Sequence, residues 1–336
     1  MIKYDKLIIT NLPAFYKIHL FNEINKNSKL LVLFTGHASD GRNSDFYKGN
    51  IEFDYINLDR GFLINCYLLI KLSFLNIKET ILGSWDNIYM WLPIFLAPWR
   101  KYSVIVESSI HESQTNGFKG KIKKIFIRHC NKAYVPGKSN AKLVQQLGFK
   151  GVIIKTKGCG IFNYIPQPKY EERKKVKRFI YVGRLAKVKN LNLLINTFNE
   201  LPEFTLDIVG FGPLEIELKQ TAKSNIIFHG AVDNTMLPTY YNNADVFILP
   251  SISEPWGIVV EEALNNGLPV IVSDKVGCAE ELVNETNGLV FKSNDMISLK
   301  EAIKKISKID FYNELRLNIS KLDFNKIEKR QVECYL

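Results

Sequence analysis

The sequence predicts an α/β protein made of two doubly wound, Rossmann-like domains, and three observations carry that expectation. Short apolar runs bounded by Gly, Pro or Asp alternate along the chain with stretches of helical spacing, the order that gives parallel sheets covered on both faces. At 336 residues the chain is long enough to bury two cores. A Pro- and charge-rich stretch over 158–178, "GCGIFNYIPQPKYEERKKVKR", divides it near the middle.

Bulk properties narrow the class. With 46% apolar and 24% charged residues the composition is that of an ordinary globular protein. The start, "MIKYDKLIIT", sets charges ahead of a short strand and not ahead of an apolar signal core, so no signal peptide is expected. No stretch approaches the roughly 18 uninterrupted apolar residues of a spanning helix. The five cysteines are scattered and lack CxxC spacing, which fits reduced thiols in a cytoplasmic protein without a zinc site. The net charge of +11 is unevenly divided: residues 1–165 hold 23 Lys+Arg against 11 Asp+Glu, the remainder 22 against 23. Such asymmetry implies an anionic partner for the first half. No zinc-finger, RRM or helix-turn-helix pattern accompanies it, so nucleic acid is not expected.

Taken in order, "KLIIT" at 6–10 reads as the first strand. The helix that follows carries Ile18, Phe21 and Ile24 on one face, and "KLLVLFTG" is the second strand. Phe15 and Tyr16 at the helix start either line an acceptor site or serve as core residues. Residues 62–77 and 89–99 are the most apolar stretches, and buried helices are expected there. "KYSVIVESSIHES" gives a buried strand ending at Glu107, with His111 four residues on. Residues 119–132 set Ile122, Ile125, Phe126 and Cys130 on one face, with lysines and arginine largely elsewhere. That helix either lies on an anionic membrane surface or packs on the core with a solvated basic back. The concentrated positive charge favours the membrane.

In the second half, "RFIYVG" is a strand, and Arg184 and Lys189 follow it at the start of a helix. Two cations beside a helix amino terminus fit a diphosphate, or are two ordinary surface cations. Gly210 and Gly212 after "LDIV" would let a loop approach a nucleotide. Residues 246–249 form a buried strand ending at Pro250, a turn-like loop runs to Trp256, and a helix starts at Gly257 and stops at Gly267. The N–H groups of Gly257, Ile258 and Val259 form an anion site at the carboxyl end of a parallel sheet. Glu254 and Glu262 flank it. They either accept hydrogen bonds from sugar hydroxyls, or cap the helix and sit on its solvated face, respectively.

"SEPWGIVVEEALNNGLPVIVSD" resembles the signature of the retaining GT-B glycosyltransferases of family 4, also called glycosyl transferases group 1: two glutamates separated by seven residues, here Glu254 and Glu262. The resemblance runs in order through "YVGRLAKVKNLNLLINTF", "LDIVGFGPL", "IIFHGAVDNTMLPTYYNNADVFILPS" and "NGLVF", over roughly residues 178 to 305. It implies a GT-B fold: an acceptor-binding domain over 1–165 and a nucleotide-sugar domain over 166–317, facing a cleft, with a final helix at about 318–336 packing back on the first.

The resemblance also implies transfer of a sugar, with retention at the anomeric carbon, from a UDP- or GDP-type sugar to an acceptor hydroxyl. No metal or further cofactor is implied, and the sequence lacks an obvious DxD motif. Arg184 and Lys189 would contact the diphosphate. Glu254, Pro255 and the Trp256–Val259 backbone would hold the sugar and diphosphate, with Glu262 on the ribose and Glu280 near the donor. Gly183, Gly210 and the backbone at Val232 would complete the nucleotide site. Three departures stand out. The loop at 11–16 lacks glycine, Asn190 stands where relatives usually have Gly, and Glu107 takes the place of a histidine near the transferred sugar. Glu107 then serves as the base toward the acceptor, or merely caps the next segment. The basic first half suits a lipid-linked saccharide acceptor in bacterial surface polysaccharide assembly, on the inner face of the cytoplasmic membrane, with a soluble saccharide as the alternative. A hydrolase or epimerase on the same fold, or a non-catalytic nucleotide-binding subunit, are the rival expectations.

Overall fold

The computed structural model describes residues 4–36, 49–59 and 61–336. Met1 to Lys3, which open the charged start, lie outside them. The chain divides into two compact units, one of Met1–Ile161 with Lys326–Leu336 and one of Phe162–Asn325. The division falls four residues before the expected boundary at 165, because Phe162 packs its ring on Phe324 of the second unit, 5.9 Å away.

Unit 1 runs β1 (Lys6–Thr10), α1 (Phe15–Asn25), β2 (Leu30–Phe34), β3 (Asp54–Asn57), α2 (Phe62–Ser73), β4 (Glu79–Leu82), α3 (Ile88–Leu96), β5 (Tyr102–Ile105), α4 (Gly117–Arg128), β6 (Cys130–Val135), α5 (Lys138–Gln146) and β7 (Val152–Lys155). All seven strands are parallel, in the order β3-β2-β1-β4-β5-β6-β7. The central strands are apolar throughout because both faces are covered, and their residues alternate between two cores. Leu7, Ile9, Leu31 and Leu33 face α2 to α5, whereas Ile8, Leu30, Val32 and Phe34 face α1 and the chain terminus.

Two expectations for this unit are corrected. Residues 62–77 and 89–99 do not form wholly buried helices. Asn65, Leu69 and Leu72 face inward, but Phe62, Leu63, Ile64, Tyr67 and Phe74 are exposed, as are Phe95 and Trp99. A sequence apolar on all sides hides which face is inward. The helix expected at 119–132 ends at Arg128, and Cys130 opens β6 instead of sharing a face with Ile122. Phe126 and Ile127 face the core while Ile125 is exposed.

Unit 2 runs β8 (Arg178–Val182), a single 3-10 turn at Lys187–Lys189, α6 (Leu191–Asn199), β9 (Thr205–Val209), α7 (Glu215–Thr221), β10 (Ile226–Gly230), α8 (Leu237–Asn242), β11 (Val246–Leu249), α9 (Ile258–Asn265), β12 (Val270–Ser273), α10 (Ala279–Leu282), β13 (Gly288–Phe291), α11 (Met296–Ile306) and α12 (Ile309–Ile319). Its six parallel strands order as β10-β9-β8-β11-β12-β13. The last helix, α13, is Phe324–Glu333, shorter than the expected 318–336 because α12 already occupies the start of that stretch. From Lys326 onward the chain belongs to unit 1, where Tyr335 stacks on Tyr134 at 4.6 Å.

Candidate active site

In an open parallel sheet, ligands bind at the carboxyl ends of the strands where the strand order reverses. In unit 2 that point lies between β8 and β11. The loop after β8 carries Gly183, Arg184 and Lys189, and the loop after β11 carries Ser251 to Gly257. The topology therefore brings together the residues that the sequence had set 65 positions apart: Lys189 Nζ is ion-paired with Glu254. Glu254 thus pairs with a lysine and does not cap the helix, whose N-cap is Gly257, with no side-chain cap. Gly257 holds φ at 98°, a left-handed geometry that suits glycine.

Backbone bonds fix this loop. Glu254 N donates to Lys275 O (3.2 Å), Gly277 N to Glu254 O (2.8 Å) and Cys278 N to Trp256 O (2.9 Å). A Cβ at Gly277 would lie 1.9 Å from Pro255 O, so only glycine permits the approach. The sequence reading passed over Gly277. Its signal was a second glycine-bearing turn, "DKVGC", after the next strand. Gly210 acts similarly beside β8, where an added Cβ would meet Gly183 O at 1.9 Å.

Glu262 is buried on α9 and accepts a hydrogen bond from the Tyr241 hydroxyl at 3.1 Å. This corrects the reading of Glu262 as a solvated helix-face residue. Burial pushes its carboxyl up to about 7, and the Tyr241 hydrogen bond works in the opposite direction. Neighbouring Glu261 is also buried and accepts from Trp256 Nε1 at 3.1 Å. Tyr241 lies in a "YYNNAD" stretch whose helical spacing was visible, but nothing in it marked a partner for Glu262.

The remaining donor-side candidates lie around this loop. Arg184 is exposed, and its guanidinium has no ion-pair partner among the described residues. Pro255, Ile258 and Val259 are partly exposed, Trp256 is buried, and Val232 follows β10. Glu280 is exposed at the start of α10. Asn190 holds φ 55° and ψ 38°, a left-handed geometry that asparagine tolerates better than most residues, which accounts for Asn where glycine is usual.

Unit 1 has its own cluster. Glu107, just past β5, is ion-paired at 2.9 Å with Lys17 of α1. Lys17 also donates to Asn11 Oδ1 at 3.3 Å. The Glu107 and Ser108 carbonyls accept from Asn140 Nδ2 at 2.7 and 3.0 Å, which fixes the backbone there. A small cavity lined by Thr10, Lys17, Gly83, Glu107, Thr156 and Tyr335, among others, opens beside the pair. Lys17 was not anticipated, because on a helical face it reads as one more surface lysine.

The aromatic candidates divide. Phe15 is buried with its ring against Tyr16 and His19, at 5.6 and 6.1 Å, so it is a packing residue and not part of an acceptor surface. Tyr16 is partly exposed, and its carbonyl accepts from Ile161 N at 2.9 Å. His111 is exposed in a turn. No group of three or more His, Cys, Asp or Glu among the described residues is placed to hold a metal ion.

With that geometry in view, comparison with known proteins is informative. Residues 166–322 match the family model described as Glycosyl transferases group 1. Among curated relatives, the O-antigen biosynthesis glycosyltransferase WbnH of Escherichia coli is 33% identical over 157 residues, 46% of this chain and 44% of that protein. The sulfoquinovosyl transferase SQD2 of Arabidopsis thaliana is 30% identical over 155 residues, 45% of this chain and 30% of that one. These matches span less than half of the relatives' own length. Solved structures resemble nearly the whole chain. Anabaena HepE, in complex with UDP and glucose, has a TM-score of 0.73 at 15% identity and covers 98% of this chain and 99% of its own. Sucrose-phosphate synthase from Thermosynechococcus elongatus has 0.72 at 17%, covering 98% of each. The fold is GT-B.

Proposed function

We propose that the protein is a retaining glycosyltransferase that moves a sugar from a nucleotide diphosphate sugar to an acceptor hydroxyl. One observation carries the reading: Lys189 and Glu254, from loops on either side of the strand-order reversal, meet beside the amino terminus of α9. In the reaction the bond between the anomeric carbon and the diphosphate oxygen breaks, and a bond to the acceptor oxygen forms on the same face. The leaving diphosphate gains negative charge. Arg184, Lys189 and the α9 backbone N–H groups meet that charge.

Glu254 and Glu262 accept hydrogen bonds from hydroxyls of the sugar and ribose, and Glu280 lies near the donor. The backbone at Gly183, Gly210 and Val232 borders the nucleotide. Glu107, held by Lys17, receives or orients the acceptor's hydroxyl proton. These charges suffice without a bound metal in this mechanism. The acceptor is a lipid-linked saccharide of surface polysaccharide assembly, met at the inner face of the cytoplasmic membrane. The relative named for O-antigen biosynthesis favours that class.

A thermal-shift screen against UDP- and GDP-sugars tests the donor assignment, because a ligand that binds only the folded state raises its melting temperature. At least one nucleotide sugar is expected to raise it, and Glu262→Ala to reduce the rise. No response to any nucleotide sugar would overturn the proposal, and sugar release to water without acceptor would replace transfer by hydrolysis.

A further inference from the structure

We propose that the outer face of α2, α3 and α4 is a docking surface for anionic lipid bilayers. The three helices lie side by side on one face of the unit 1 sheet. Leu69 and Leu72, Met90 and Ile94, and Phe126 and Ile127 enter one core from each in turn. Phe62 meets the Tyr89 ring at 6.2 Å, and Trp91 meets the buried Phe126 ring at 4.9 Å, so α3 packs against both α2 and α4.

That face is unusually apolar for a surface. Leu63 is 81% exposed and Phe74 69%, with Tyr67 between them on the same side of α2. Phe95 on α3 and Phe118 and Ile125 on α4 are exposed as well. Exposed apolar side chains in this number on neighbouring helices mark an interaction surface.

Charge identifies the partner. Residues 61–78, 87–106 and 113–170 contain no Asp or Glu at all. On α4, Phe118, Lys121, Ile125 and Arg128 recur at helical spacing and are all exposed, so cations and apolar side chains share one side. This is the arrangement of an interfacial helix, apolar groups entering the acyl boundary and cations meeting anionic head groups. A second copy fits poorly, because a two-fold contact would face these cations against themselves. No helix among the described residues is long and apolar enough to cross a membrane, so the contact lies on the surface. The inference goes beyond sugar transfer, and the biological use of the surface rests on the lipid-linked acceptor proposed above.

Cosedimentation of the full chain with vesicles of phosphatidylcholine alone, or of equal parts phosphatidylcholine and phosphatidylglycerol, tests it. The wild type is expected to pellet with the anionic vesicles only and to be released by high salt. The pair Leu63→Ser and Phe118→Ser is expected to weaken the partition about tenfold, and the pair Lys121→Glu and Arg128→Glu to remove the preference for anionic lipid. All four residues are exposed, and unchanged melting curves would confirm folding. Equal or absent binding to the two vesicle types would overturn the proposal. So would a concentration-dependent dimer in velocity sedimentation that Leu63→Ser disperses. The thermal shift with nucleotide sugar, measured on the same variants, keeps failure of lipid docking distinct from failure of the donor assignment.

Discussion

Each unit carries a lysine–glutamate pair at the carboxyl ends of its parallel strands, with the lysine supplied by the segment that follows the unit's first strand. The burial differs. In unit 2 both partners are largely enclosed, Lys189 at 20% and Glu254 at 13% side-chain exposure. In unit 1 the lysine is sealed at 7% while Glu107 stands open at 31%. The enclosed pair holds each member in reserve for the other, and in the proposed reaction a diphosphate would have to draw Lys189 partly away from Glu254. The lopsided pair uses a fixed cation to aim a carboxylate outward. In the proposed reaction, two sheets that share their order over six strands would present a cation for the leaving group in one and a carboxylate for the incoming hydroxyl in the other.

The contrast can be broken at four points. Lys189→Ala is expected to lower kcat by about 100-fold, the usual loss when one preorganised charge at the developing anion is removed. Single-turnover kinetics would check it, and a rise in KM alone would show that Lys189 binds donor and transition state equally. Glu262→Ala should weaken nucleotide binding by about 1 to 3 kcal/mol if a charged hydrogen bond to the ribose is lost. Calorimetry showing unchanged affinity removes that role. Glu107→Gln should reduce transfer at least about tenfold and leave donor affinity unchanged, which separates the two units' tasks in one variant. Unchanged turnover would make Glu107 only a partner for Lys17.

The smallest effect is one of stability. Each unit holds a carboxyl that desolvation pushes up to about 7: buried Glu262 in unit 2 and half-buried Glu328 in unit 1. Between about pH 4.5 and 7 the unfolded chain has lost these protons while the folded chain keeps them, so the unfolded state binds fewer protons there. Stability therefore falls as pH rises through that window. The melting temperature should drop by a few degrees, with Glu262→Gln and Glu328→Gln each flattening part of the slope. An identical pH profile in the two variants and the wild type would remove both carboxyls from the account.

The unit 2 site was legible because its chemistry is local. Glu254, Gly257 and Glu262 lie within one strand-loop-helix run, and the spacing alone sets them at one sheet end. The partnerships that complete it were not legible. Tyr241, Gly277 and the Lys189–Glu254 pair depend on which strands are neighbours, and strand order is a property of the whole sheet. In unit 1 the strands were readable from their apolar runs, but Lys17 was not, since nothing within its helix distinguishes a buried lysine from a solvated one. Phe15 failed for the converse reason: a ring beside a candidate site looks the same in sequence whether it faces the ligand or the core. The two apolar helices misled because uniform hydrophobicity erases the periodicity that tells inside from outside.

The lacing of Glu254–Trp256 to Lys275–Cys278 has a consequence for redesign. The first turn borrows its shape from the second, which is rooted in a different strand. Transplanting residues 251–257 from a relative would import side chains without the scaffold that aims them. A workable exchange must move both turns as one cassette, with Gly277 retained as its hinge pin.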